Sequence, residues 1–139
     1  MAVRELEVYA RLALDVVAAE GSELVLADGR RVLDLYGGHC VNTLGAADEE
    51  VAGAFGEQWR RLSFVTNLLD HPPREAFVEA LGANLPPGEW RVFLGNSGAE
   101  ANEAALKLVR LAAGPGRYKI ISFNKSFHGR TMGGLSLTP

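Results

Sequence analysis

The sequence predicts an α/β chain: a β-hairpin near the N-terminus, then helices alternating with short apolar runs in the order of a mostly parallel sheet with flanking helices. Three observations carry this expectation. The apolar runs Leu24-Val25-Leu26 and Val32-Leu33-Asp34-Leu35 flank Asp28-Gly29. Val51, Phe55, Trp59 and Leu62 recur at helical spacing, and residues 91–123 read as apolar run, alanine-rich helix, apolar run.

Taken in order, residues 1–19 fit two readings, because Leu6, Tyr9, Ala10 and Ala13 are spaced for a helix while Leu14 to Val17 suit the start of a strand. The next segment reads as a hairpin, with Asp28-Gly29 supplying the positive φ angles of a tight turn and Gly37-Gly38 ending the second strand. Asp48 is placed to cap an amphipathic helix whose inward face is Val51, Phe55, Trp59 and Leu62. Pro72-Pro73 suits the first turn of a second helix, with Ala76, Phe77, Ala80 and Leu81 inward and Pro86-Pro87-Gly88 as the stop. Arg91 to Leu94 then reads as a strand, Ala99 to Ala113 as a helix ended by Gly114-Pro115-Gly116, and Tyr118 to Phe123 as a second strand. A strand, helix, strand unit of this length predicts neighbouring parallel strands joined by a right-handed crossover.

Composition narrows the function classes. The chain has 139 residues, 47% hydrophobic and 22% charged, which suits a globular domain rather than a disordered segment. Net charge is −3 with Lys and Arg dispersed, so no basic face for nucleic acid or anionic lipid is expected. Cys40 is the only cysteine, which excludes an internal disulfide and agrees with a reducing, cytoplasmic setting. Charged residues interrupt the first 25 positions, so neither a signal peptide nor a membrane span is expected. The end at Leu137-Thr138-Pro139, directly after an apolar segment, reads as a break inside a longer protein.

Ligands of parallel sheets sit beyond the carboxyl ends of the strands, which singles out two loops expected to lie side by side. The first is Asn96-Ser97-Gly98-Ala99-Glu100, where Ser97 and Glu100 have the spacing of a capping box. The small pair Gly98-Ala99 leaves backbone amides open at the positive end of a helix, with the Ser97 hydroxyl beside them, as a phosphate requires. The spacing is that of neither nucleotide motif, Gly-x-x-x-x-Gly-Lys-Ser/Thr or Gly-x-Gly-x-x-Gly, so a plain capped helix and a phosphate site both stay open. In the second loop, Ser126-Phe127-His128-Gly129-Arg130-Thr131, an aromatic face and a guanidinium fork flank a glycine and suit stacking and carboxylate binding, while Phe127, His128 and Arg130 each taken alone read better as a core ring, a hydrogen-bonded loop histidine and a surface charge. No metal site is expected.

Together, NSGAEANEAALKLVR and SFHGRT, in this order and at this separation, resemble the class III aminotransferases of the ornithine and acetylornithine type, which use pyridoxal phosphate. The upstream stretch LADGRRVLDLYGGHCVNTLG resembles the family's N-terminal hairpin, so the likeness covers nearly the whole chain. It implies a fold type I transferase, with residues 1–45 in the small domain and 46–139 opening the large cofactor-binding domain. It further implies that the backbone at Gly98 and Ala99 holds the cofactor phosphate with Ser97 close by. Phe127 would stack on the pyridine ring, Arg130 would bind a substrate carboxylate, and His128 would be a positioning residue.

Two departures stand out. Ala46-Ala47-Asp48-Glu49 replaces the family's His-x-His-Pro, and Ala99 replaces a threonine, which removes one hydroxyl but no amide. Transamination also needs a lysine that holds the cofactor covalently and an aspartate at the pyridine nitrogen. Lys107, Lys119 and Lys125 do not match that lysine, so no catalytic residue is expected here and the chain alone is expected to be inactive. The resemblance implies a homodimer that moves an amino group from an ω-amino donor, N-acetylornithine first, to 2-oxoglutarate. Gly38 favours that donor, since ornithine enzymes of the family carry a tyrosine near this point. Lysine-pathway, succinylornithine, ornithine or aminobutyrate aminotransferases and aminomutases stay open, as does a non-catalytic phosphate-binding module.

Overall fold

The computed structural model describes residues 3–139 and divides into two compact units, one running to Leu69 and the other from Asp70 to Pro139. The first unit holds the only sheet among the described residues: β1 (Val16–Glu20), β2 (Glu23–Leu26) and β3 (Arg31–Leu33), antiparallel and in sequence order. The strand reading of the N-terminal region is therefore the one realised, and residues 3–15 have no regular structure. β1 and β2 meet at Glu20↔Glu23 across Gly21-Ser22, where Gly21 has φ 56°, as a two-residue hairpin turn with glycine first demands.

The second hairpin turn differs from the expected one. Only Gly29 takes a positive φ, 86°, while Asp28 does not. The Gly29 amide donates to the Leu26 carbonyl at 2.9 Å and the Leu26 amide to the Arg30 carbonyl at 2.9 Å, which makes a three-residue loop with a glycine bulge. Asp28 still serves the turn, its carboxylate accepting from the Arg30 amide at 3.1 Å and from Arg30 Nε at 2.7 Å. On the sheet, Arg31 donates to Glu23 at 2.8 Å and to Glu20 at 2.9 Å, and those hydrogen bonds raise its pKa.

The chain then makes a left-handed turn, α1 (Gly37–Cys40), with φ between 56° and 66° at all four residues. It returns to the hairpin where Gly21 and Ala46 exchange both backbone hydrogen bonds, at 2.9 and 2.7 Å. A side chain on Gly45 would meet the Gly21 backbone at 3.1 Å, so the close approach needs glycine there. Helix α2 (Glu49–Arg61) begins as predicted, with the Asp48 carboxylate accepting from the Val51 amide at 2.9 Å.

The second unit opens with α3 (Pro72–Gly82), which has proline in its first turn. It ends before Pro86-Pro87-Gly88, and Trp90 folds back to donate its indole N–H to the Pro86 carbonyl at 2.8 Å. Helix α4 (Gly98–Ala113) stops at Gly114, φ 74°, and the five-residue α5 (Met132–Ser136) packs on it. The sequence reading lacked α5.

Two expectations need correction. Neither residues 91–94 nor 118–123 form a strand, and the predicted parallel pair joined by a crossover is absent among the described residues. A strand exists only through a hydrogen-bonded neighbour, and these runs do not serve each other. They lie beside α4 instead: Phe93 and Leu94 share a groove with Ala104, and Tyr118 and Ile120 share one with Leu106. The inward helix faces are also not covered. Among the described residues Leu26 is the one fully buried apolar side chain, at 2% exposure, while Phe55 and Trp59 are 65% and 60% exposed and stack on each other at 5.7 Å. Periodicity marks the face that can be buried; burial itself needs a second layer over it.

Candidate active site

The start of α4 shows why this stretch builds a site. Ser97 is extended, φ −151° and ψ 158°, and its hydroxyl oxygen accepts from the Glu100 amide at 3.2 Å. The return half of the capping box is displaced by one residue. The Glu100 carboxylate accepts from the Asn96 amide rather than from that of Ser97. The first intrahelical bond at this end runs from the Ala101 amide to the Ser97 carbonyl, so the amides of Gly98 and Ala99 have no acceptor inside the helix. A side chain on Gly98 would meet nothing within 4 Å, so the first residue of the helix is uncrowded. With the positive end of a 16-residue helix behind them, they suit an anion.

The second loop reaches this turn directly. Gly129 is buried with φ 120°, and a Cβ placed there would lie 2.8 Å from the Ala99 Cβ and 3.1 Å from its Cα. The expected neighbourhood of the two loops is thus present, at a contact that needs small residues on both sides. One turn further along α4, Asn102 donates from Nδ2 to the His128 carbonyl at 2.8 Å. The His128 amide donates to the Thr138 hydroxyl oxygen at 3.0 Å, and that hydroxyl donates to the Gly134 carbonyl at 3.0 Å. His128 is therefore held by its backbone.

Phe127 and Arg130 sit on this held loop. The Phe127 ring is 65% exposed, and the Arg130 guanidinium carbon lies 5.3 Å from its centroid. One face of the ring therefore carries a cation, which its quadrupole favours. Ser97, Gly98, Ala99, Phe127 and Arg130 thus occupy one pair of touching loops in one unit.

The residues that sequence reading missed are Asn102 and Glu103. Oε1 of Glu103 accepts from the Thr131 hydroxyl at 2.6 Å, the Gly133 amide at 2.9 Å and the Gly134 amide at 3.3 Å. The Thr131 hydroxyl and the Gly134 amide, then the Gly133 amide and Lys107, hold its carboxyl below the usual value against the opposing effect of desolvation. Thr131 at the N-cap of α5 was an available local sign of that helix; the acceptor comes from a different helix.

The geometry is that of a helix start with two open amides, flanked by an aromatic and cationic loop, and comparison with known proteins places the chain in a class. The chain is similar in structure to adenosylmethionine-8-amino-7-oxononanoate aminotransferase of Methanocaldococcus jannaschii, with TM-score 0.82 and 28% identity over 92% of this chain and 30% of that one. It is also similar to a PMP-bound aminotransferase of Vibrio fluvialis, with TM-score 0.80 and 26% identity over 91% and 29% of the two chains. The fold is therefore that of the pyridoxal-phosphate-dependent transaminases, an α/β fold.

Residues 7–139 match the model of the family aminotransferase class-III, and the chain belongs to that family. In sequence it is 44% identical over 130 residues to acetylornithine aminotransferase of Mycolicibacterium smegmatis, covering 94% of this chain and 32% of that protein. The chain spans about a third of the length of the curated relatives it matches.

Proposed function

We propose that the full-length protein is a pyridoxal-phosphate-dependent aminotransferase that moves the terminal amino group of N-acetylornithine to 2-oxoglutarate, giving an aldehyde and glutamate. The observation that carries this reading is the contact of Gly129 with Ala99, which brings the two family loops into one site in a chain 44% identical to an acetylornithine aminotransferase.

The residues present fit the cofactor. The amides of Gly98 and Ala99 take the phosphate at the α4 start, where the helix dipole favours negative charge. The Ser97 oxygen is already an acceptor for Glu100, so its hydrogen is left to donate to a phosphate oxygen. Phe127 offers a ring face for stacking on the pyridine. Arg130 leaves the Phe127 ring to pair with a substrate carboxylate, for which its planar fork is matched. Bound pyridoxal phosphate supplies the electron sink that lets the substrate carbon lose its proton. Lys107, Lys119 and Lys125 take no part in holding it. The same reading gives a homodimer in the cytoplasm, with residues 1–45 in the small domain and 46–139 in the large one.

The test is a donor panel. Full-length protein loaded with pyridoxal phosphate is given 2-oxoglutarate and N-acetylornithine, N-succinylornithine, ornithine or 4-aminobutyrate, and glutamate is measured. N-Acetylornithine is expected to give the highest kcat/KM; a clear preference for another donor would replace it, and no glutamate from any donor would remove the activity.

A further inference from the structure

We propose that Glu103 is a positioning residue whose carboxylate, fixed on α4, sets the loop that carries Phe127 and Arg130 against the turn at Gly98 and Ala99. The inference rests on the functional reading above and adds a residue to which the loop motifs assign no part.

Its first support is convergence. The Thr131 hydroxyl and the amides of Gly133 and Gly134 all donate to one oxygen, Oε1, from positions 28 to 31 residues away in sequence. The second is spacing along α4. Asn102 holds the His128 carbonyl and Glu103 holds Thr131, so two successive helix residues bracket Gly129 and Arg130 between fixed points. The third is space. A Cβ on Gly133 would lie 2.7 Å from the Glu103 carboxylate oxygens, and one on Gly134 would lie 2.6 Å from the His128 carbonyl. Glycine at 133 lets the carboxylate reach the backbone, and glycine at 134 lets α5 approach the His128 carbonyl. A side-chain anchor of this kind fixes a loop by orienting its backbone, as supporting hydrogen bonds do around binding groups generally.

Because all three donors use one oxygen, an amide can replace the carboxylate and keep the acceptor. In the full-length protein loaded with cofactor, Glu103→Ala is expected to raise KM for the amino donor on the order of tenfold, the equivalent of one lost charge-assisted hydrogen bond, with kcat close to that of the parent. Glu103→Gln, which keeps the acceptor without its charge, is expected to recover most of that rise. Unchanged KM in Glu103→Ala would overturn the proposal, and so would a Glu103→Gln variant as impaired as Glu103→Ala. If Glu103→Ala does not fold, Thr131→Val decides, since it removes one of the three donors: a smaller KM rise at unchanged kcat supports the proposal, and an unchanged KM overturns it.

Amide hydrogen exchange over residues 128–134 separates this from the functional reading. A parent that transaminates no donor removes the activity. Faster exchange in Glu103→Ala, reversed in Glu103→Gln, would still support the positioning, and equal exchange in all three proteins would overturn it.

Discussion

Gly129→Ala is the perturbation whose consequence the structure specifies most fully. The new methyl would stand 2.8 Å from the Ala99 Cβ and 3.1 Å from its Cα, and Ala99 belongs to the first turn of α4, so the obstacle is helix backbone and not a mobile side-chain end. Overpacking of this kind costs about 1–3 kcal/mol. Residue 129 also has φ 120°, where an L side chain is strained by a further 1–3 kcal/mol or so. The sum, roughly 2–6 kcal/mol, is a large part of the stability of a typical domain. The loop can relieve the clash only by moving off Ala99, which separates the proposed phosphate turn from Phe127.

The assay is urea unfolding of the full-length protein, followed by cofactor titration monitored in the visible spectrum. The variant should unfold at lower urea and bind pyridoxal phosphate more weakly. Adding Ala99→Gly removes the closer contact but neither the 3.1 Å contact nor the backbone strain, so recovery should be partial. A Gly129→Ala protein as stable as the parent, with unchanged cofactor affinity, would refute the claim that this contact holds the loops together.

Three further outcomes are expected. Arg130→Ala should raise KM for the amino donor while the visible spectrum of bound cofactor persists; loss of that spectrum would contradict a substrate-carboxylate role. Phe127→Ala should weaken cofactor binding by about 1 kcal/mol from lost stacking, seen as a higher Kd in the same titration. The hold of Glu103 on α5 should depend on acid. Its folded pKa is depressed, so the charge assistance to these hydrogen bonds is complete above the usual 4.5 and is lost as pH falls below that through the lowered folded value, leaving the weaker neutral acceptor. Protection of the Gly133 and Gly134 amides, corrected for intrinsic exchange, should decline in that window, and a decline centred above 4.5 would contradict the sign.

What was legible in the sequence were features whose cause is local. Asp48 and Ser97 cap α2 and α4 because a short oxygen-bearing side chain meets amides three residues on. Gly29 and Gly114 mark ends because the chain there needs positive φ. Phe127, Arg130 and the Gly98-Ala99 pair were visible as motifs whose residue types match a ring, a carboxylate and a phosphate.

What stayed hidden depends on partners distant in sequence. Residues 91–94 and 118–123 have strand composition, yet strand pairing is a property of two segments, and these two do not supply it to each other. Gly133-Gly134 is poor helix sequence, and α5 forms where Glu103 takes two of its first free amides. The capping box was read with the correct residues, but which amide the carboxylate reaches was not legible: Ser97 is extended and Glu100 accepts from Asn96.

The most direct test is a crystal structure of the full-length protein with pyridoxal phosphate bound. The phosphate oxygens should lie about 3 Å from the Gly98 and Ala99 amides, with the Phe127 ring stacked on the pyridine and Arg130 turned toward the substrate space. A phosphate held away from the start of α4, with those two amides facing only solvent, would contradict the account.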